Sequence, residues 1–150
     1  MSIIFEASSK AADAPDIEAN IYDATFDGIS KKYIEGGPYG DGERYVWAFT
    51  LLDDDGAVLF DREEPIVVDG LTSLSLNTTS KTVPKGVRYM KAILTVAEFS
   101  LFETGEARIS ADDLVGRKVQ VEVAIRDNGW PTVVNVLPAR KARRVGRSAE

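Results

Sequence analysis

Alternation of apolar and polar residues along the chain predicts a protein built mainly of β-strands. The pattern is clearest in residues 44–53, RYVWAFTLLD, where both faces of the strand are largely apolar, which favours a central place in a sheet. Residues 20–29, NIYDATFDGI, alternate in the same way, as do residues 118–126, KVQVEVAIR. The turn sequence Asp-Asn-Gly at 127–129 predicts that this last strand pairs back onto PTVVNVLP, which ends at Pro138.

The segments between these strands are rich in turn residues. Residues 35–43, EGGPYGDGE, hold four glycines and a proline, which predicts a long mobile loop without regular structure. Residues 53–56, DDDG, predict a tight turn, after which residues 57–61 would return as the second strand of a hairpin. Residues 66–77, IVVDGLTSLSLN, are typical of a further strand that bends at its glycine.

A change of period after residue 81 predicts one α-helix, near residues 83–95. Its apolar residues recur at helical spacing and are Val87, Met90, Ile93 and Leu94. Thr82 suits the cap position, and Pro84 suits the first turn, where its missing N–H costs nothing. Further on, the sequence SADD followed by Gly116 predicts a short helical turn near residues 111–115.

The order of these elements predicts a mainly β fold. A five- to six-stranded antiparallel β-barrel with one helix before the last pair of strands fits this order, and this is the layout of an OB-fold. A β-sandwich with a helical insertion is the alternative. Small polar residues predict a flexible N-terminal arm over residues 1–20, residues 21–138 form the single barrel domain, and residues 139–150 form a basic C-terminal tail.

The residue types that are missing exclude several kinds of chemistry. The chain has no Cys and no His, so it has no disulfide, no catalytic Ser-His or Cys-His pair and no His-ligated zinc. Its acidic runs are explained by turns and by a helix start, and DDDG lacks the spaced ligands of a calcium loop. No phosphate-binding loop or nucleophile motif is present. We therefore expect a non-enzyme with no metal and no cofactor.

Hydropathy predicts a protein that does not enter membranes. No apolar run approaches the roughly 18–20 residues that span a bilayer. The first residues, MSIIFEASSKAADAPD, also lack the basic segment and long apolar run of a secretory signal. Both observations lead us to expect an intracellular protein.

The charge is unevenly distributed along the chain. The formal net charge is −6, which disfavours a generic nucleic-acid binder. Residues 1–69 carry 16 acids and 5 bases, whereas residues 70–150 carry 8 acids and 13 bases, five of them in the tail from residue 140 onward. Such a chain can present a basic surface while it remains acidic overall.

Several pieces of the chain occur together in a recognisable order. They are IYDATFDGI, YGDGERYVWAFTLLDDDG, LTSLSLNTTSK before the helix, TGEARISADDLVGRKVQVEV and NGWPTVVNVLP. In their order and spacing over residues 5–138, the chain resembles a group of small bacteriophage proteins that are common in phages of actinobacteria. Members look like OB-fold proteins that bind single-stranded DNA, or are left without an assigned function. The resemblance implies a phage origin, an OB-like fold and binding of single strands. For a phage protein, the intracellular location expected from hydropathy is the host cytoplasm.

Three aromatic residues are candidates for stacking on bases, an interaction worth about 1–3 kcal/mol for each base. Tyr39 lies in the glycine-rich stretch, and Trp130 follows the last tight turn. Trp47 lies between Tyr45 and Phe49 on one strand face. For Trp47 a place in the core is the alternative, and for Trp130 the alternative is that the ring folds back onto the barrel.

Basic residues outside the tail are candidates for contacts to phosphates. The candidates are Lys81, Lys85, Arg117, Lys118 and Arg126. Their alternative is an ordinary exposed position on a helix face or at the start of a strand.

Two functions therefore stay open. In the first, a non-catalytic phage protein binds single-stranded DNA during replication or recombination. In the second, a phage structural or host-interaction protein, for example a virion component or an inhibitor of a host factor, uses the same barrel as a scaffold. Either function is compatible with a homo-oligomer.

Overall fold

A computed structural model describes residues 14–37, 40–79 and 81–140 of the chain. The strands are β1 (Asn20–Gly37), β2 (Gly40–Leu52), β3 (Phe60–Asp61), β4 (Glu64–Pro65), β5 (Val67–Thr72), β6 (Lys118–Ile125) and β7 (Pro131–Pro138). The helices are α1 (Lys85–Ile93) and α2 (Val96–Glu103), followed by a 3₁₀ turn (Ala111–Leu114). None of the described helices is both long enough and apolar enough to span a bilayer.

Five strands form one antiparallel sheet in the order β5-β2-β1-β6-β7, and β3 and β4 form a separate two-stranded sheet. The prediction of a mainly β, antiparallel fold is confirmed. β1 is long enough to pair with two neighbours, since its first residues pair with β6 while its register with β2 begins at Asp23. β5 and β7 are the two edges, and no hydrogen-bonded ladder joins them within the described residues.

The two edges nevertheless lie close together. Thr132 Oγ1 of β7 donates to the carbonyl oxygen of Asp69 of β5 at 3.4 Å. A Cβ atom added to Gly70 would lie 2.8 Å from the carbonyl oxygen of Val133 and 3.5 Å from the hydroxyl of Tyr89. The sheet therefore curls until its first and last strands approach each other, and the absence of a side chain at Gly70 permits that approach.

The core lies on the inner face of this curled sheet. Alternate residues of three strands are buried there, namely Phe26, Trp47, Phe49, Leu51, Val119, Val121 and Val123. Tyr89 of α1 closes the core, with its ring 5.3 Å from that of Trp47 in an edge-to-face arrangement. Ile125, which continues the valine pattern, is 39% exposed because it lies where β6 passes into the last turn.

The prediction of a long mobile loop over residues 35–43 is wrong. β1 and β2 stay paired, with one register shift after Ile34, until Gly37 pairs with Gly40. Glycines at positive φ absorb the register shift near the tip, and the Gly36 N–H donates to the Asp41 carboxylate at 2.7 Å. Since β5 pairs with β2 only from Tyr45 onward, residues 32–37 and 40–44 extend past β5 as a two-stranded hairpin arm.

The single predicted helix is in fact two helices. α1 ends at Ile93, Leu94 is extended, and α2 begins after Thr95. Thr95 and Glu98 form a capping box, in which each side chain binds the backbone N–H of the other residue, at 3.1 and 2.9 Å. The sequence T-x-x-E was the available signal for this second start. Thr82 is not the cap of α1, since that position is taken by Pro84.

Other predicted elements are confirmed with shorter bounds. The helical turn near 111–115 is the 3₁₀ turn, and residues 53–56 form the expected turn. The return strand after that turn is only an isolated bridge at Val58 followed by β3, and the strand predicted over residues 66–77 ends at Thr72.

Candidate functional site

The outer face of β2 and β5 is an open surface of mostly small and apolar side chains. Three cross-strand pairs build it, namely Val46 with Leu71, Ala48 with Asp69 and Thr50 with Val67. These residues alternate with the buried ones on the same strands, so they point away from the core. We call these six residues the β2–β5 outer face.

The turn between β6 and β7 lies beside this outer face. It is tightened by bonds from Gly129 N to the Arg126 oxygen and from Arg126 N to the Trp130 oxygen, both at 2.8 Å. The Arg126 guanidinium donates to Thr132 Oγ1 at 3.1 Å, and that hydroxyl in turn donates to the Asp69 oxygen. Trp130 is 37% exposed at the start of the returning strand. Arg126, which sequence reasoning selected, is thus linked to β5 through Thr132, and Trp130, also selected, lies in the same turn.

The hairpin arm extends the same surface on its other side. Lys32 lies directly opposite Arg44, and two positions along the strands Ser30 lies opposite Val46. Because side chains alternate between faces, Lys32 and Arg44 share a face with Val46 of the β2–β5 outer face. Sequence reasoning missed the pairing of these two cations because the pattern ends the first strand at residue 29 and predicts a loop over residues 35–43. Simple alternation past Phe26 would even place Lys32 on the core face, since the bulge between Phe26 and Gly28 reverses the faces of β1.

Trp47 does not belong to this surface, so its selection as a stacking residue is wrong. The side chain is 1% exposed, and its indole N–H donates to Thr72 Oγ1 at 2.9 Å. A base cannot reach a ring that is enclosed between Phe26 and Tyr89. The core position, the alternative for this residue, is the one that the structure shows.

The Arg117 side chain binds a carboxylate within the domain and does not contribute to an open basic surface. Its guanidinium binds both carboxylate oxygens of Glu98, at 2.5 and 2.8 Å. Glu98 also caps α2, so this bidentate pair ties the helix to the residue that precedes β6. The bond from Arg117, helped by the Thr95 N–H, lowers the pKa of Glu98 from 4.5 to about 2.

The remaining selected cations are only partly brought together. Lys118 opposes Thr25, which opposes Thr50, so it lies on the outer side of the sheet, two strands from β2. Lys85 begins α1 and Lys81 precedes it by four residues, and this helix packs on the inner side of the sheet through Tyr89. They therefore do not join the β2–β5 outer face. Tyr39 lies outside the described residues.

The described ends of the N-terminal arm and of the basic C-terminal tail contact the β-domain. The carbonyl oxygen of buried Ala14 accepts a bond from Arg62 at 2.5 Å, so the end of the N-terminal arm packs on the domain. Arg140, the start of the basic tail, forms an ion pair with Asp23 of β1. Residues 141–150 lie outside the described part of the chain.

No protein-family model matches this chain. No curated protein is significantly similar to it in sequence either.

The contact between Glu98 and Arg117 leads to a prediction about stability. Glu98→Gln should lower the free energy of unfolding at pH 7 by on the order of 1 kcal/mol, a small value because both side chains are about one-third exposed. The pKa is lowered in the folded state, so the stabilisation is complete above about pH 4.5 and is lost as the pH falls toward 2. Urea unfolding at several pH values measures it, with Glu103→Gln on the same helix as control. An equal deficit at pH 7 and pH 2.5 would contradict this account.

Proposed function

We propose that this protein is an OB-fold-like, non-catalytic phage protein that binds single-stranded DNA across the β2–β5 outer face, in the host cytoplasm, during replication or recombination. The observation that carries the proposal is the strand order β5-β2-β1-β6-β7, with the helices inserted between β5 and β6. The resemblance to phage single-strand-binding proteins supports the same function.

This strand order supports an OB-like barrel because an OB-fold is a five-stranded, partly open Greek-key barrel. β1, β2 and β5 follow one another as an antiparallel meander, and β6 then returns to the free side of β1. The approach of Asp69 and Gly70 to β7 supplies the seam at which such a barrel would close. In a flat sheet of a β-sandwich, the first and last of five strands would lie far apart.

The position of the candidate surface supports nucleic-acid binding. OB-folds bind oligonucleotides on the face of their second and third strands, between the loop after the first strand and the loop before the last. In this chain these parts correspond to the β2–β5 outer face, the hairpin arm and the turn at 126–130. The turn contributes the exposed ring of Trp130 for stacking and Arg126 for a phosphate.

The acidic net charge limits the affinity without excluding binding. Charges farther apart than about 8–10 Å are largely screened at physiological salt. Among the acids of the first half of the chain, those that repel a bound strand are therefore mainly the ones close to the β2–β5 outer face, such as Asp69 and Asp27. Asp27 accepts a bond from Thr50 Oγ1 at 2.6 Å, which occupies part of its carboxylate. We expect binding that is weak at physiological salt and clear at low salt.

Binding of a labelled oligothymidylate, followed by fluorescence anisotropy, tests the proposal. The logarithm of the affinity should fall with the logarithm of salt concentration, by about 0.7 for each phosphate contact. Trp130→Ala should weaken binding by about 1–3 kcal/mol with little change in that slope, because stacking releases few counterions. The matched control is Val96→Ala, which removes an exposed apolar side chain from α2 on the inner side of the sheet. Absence of binding by the unchanged protein at about 50 mM salt, where ionic contacts are strong, would overturn the proposal.

One observation favours the second function, interaction with a phage or host protein. α2 contains no buried residue, and most of its exposed side chains are apolar or small, with Val96 89% and Leu101 45% exposed, while Glu103 adds one charge. Exposed apolar side chains gathered on one short helix are typical of a protein-binding surface. Loss of partner binding in Val96→Ala and Leu101→Ala, with unchanged DNA binding, would assign that function to α2.

A further inference from the structure

Two cations face each other on the hairpin arm without a partner of opposite charge. Lys32 and Arg44 are directly opposed across β1 and β2, which puts their Cβ atoms about 4.5–5.5 Å apart. Within the described residues, neither side chain lies within 4 Å of a carboxylate. Like charges in this arrangement destabilise a strand pair, so the opposition of Lys32 and Arg44 costs the arm some stability.

The guanidinium of Arg44 is held in place. One of its terminal nitrogens donates to the Glu43 oxygen at 2.9 Å, and the other donates to the Gly40 oxygen at 3.2 Å. The side chain folds over Gly42, where an added Cβ atom would lie 2.9 Å from the first of these nitrogens. An arginine has five N–H donors, so three are left without a bond to the described residues after these two. The arm thus presents a fixed guanidinium group on the strand position that opposes Lys32.

The acidic residues of the arm do not compete for this position. Glu43 opposes Tyr33, so by strand alternation it faces the other side of the arm. The Asp41 carboxylate accepts the N–H of Gly36 at 2.7 Å. The face that carries Lys32 and Arg44 continues through Ser30 and Val46 onto the β2–β5 outer face.

We infer that Lys32 and Arg44 form a phosphate-binding pair that contacts the backbone of the bound single strand. This inference rests on the proposed function. A guanidinium fork suits the geometry of a phosphodiester group, and an anion between the two cations removes their mutual repulsion. An open hairpin does not enclose a small ion, so the site needs a polymer that is held at further points. The strand then runs from the arm, across the β2–β5 outer face, to Arg126 and Trp130.

Single substitutions on the two faces of β1 and β2 test this inference. Lys32→Gln and Arg44→Gln should each make the salt dependence of oligothymidylate binding shallower by about 0.7, and should weaken binding roughly fivefold at 0.1 M salt. Lys31→Gln is the matched control, because Lys31 opposes Tyr45 on the other face, at the base of the arm, and its loss changes the net charge equally. This control should leave the slope unchanged. Inorganic phosphate at equal ionic strength should compete no better than sulfate.

The outcomes separate this inference from the function on which it rests. If the unchanged protein does not bind the oligonucleotide, both proposals fail. If it binds and the Lys32 and Arg44 variants behave like Lys31→Gln, the function stands and the arm contact is overturned. Specific competition by inorganic phosphate would also overturn it, since the pair would then be a site for the free ion.

Discussion

Replacement of Trp47 by alanine should lower the free energy of unfolding by about 3–5 kcal/mol, the usual cost of deleting a buried tryptophan. The side chain is 1% exposed and packs against Phe26 and Tyr89, so its removal leaves a cavity that these rings cannot fill. It also removes the donor to Thr72 Oγ1, although that hydroxyl keeps its bond to the Ser73 oxygen at 2.9 Å. A loss of this size is a large part of the 5–15 kcal/mol that stabilises an ordinary domain.

Urea unfolding followed by far-ultraviolet circular dichroism measures this loss. Trp130→Ala is the natural control, since that side chain is 37% exposed and its removal should change stability little. Trp47→Phe should cost less than Trp47→Ala, because a ring still fills most of the space. The two tryptophans should therefore behave in opposite ways, Trp47 affecting stability and Trp130 affecting binding. Normal stability with lost DNA binding in Trp47→Ala would show that Trp47 is a contact residue after all.

Gly70→Ala should lower the free energy of unfolding by about 1–3 kcal/mol, as overpacked core positions do. The new Cβ atom would lie 2.8 Å from the Val133 carbonyl oxygen and 3.0 Å from its Cβ atom, so β5 and β7 must separate. The backbone of Gly70 is not in the left-handed region, so the cost arises from contact with β7 and not from the conformation of the residue itself.

The neighbouring substitution Asp69→Ala is the control, because that side chain is exposed on the outer face of the same strand. Comparison of the two variants by thermal and urea unfolding isolates the contact between the sheet edges. A neutral effect of Gly70→Ala would mean that β5 and β7 do not approach each other, and an OB-like barrel, which requires that approach, would be contradicted.

Much of the candidate surface could not be predicted from local pattern. The T-x-x-E signal predicts the start of α2, but nothing local shows that Glu98 binds Arg117, 19 residues away. Arg117 and Arg126 look alike in the sequence, each basic and next to a strand, yet the first is occupied by a carboxylate and the second lies beside β5. Lys32 was missed because glycines usually end a strand, whereas here their freedom lets the hairpin continue.

The sequence by itself determined the strands, because alternation of side chains across a strand is a local property of the backbone. It therefore indicated that Trp47 shares a face with Phe49, and that Val119, Val121 and Val123 share another. Only the tertiary structure decided which faces are covered, since burial depends on residues far away in the chain. The ring of Trp47 is enclosed because Tyr89 reaches it from α1, whereas Trp130 in the last turn stays 37% exposed. The order of strands in the sheet was also a tertiary result, because pairing of β1 with β6 joins segments almost 100 residues apart.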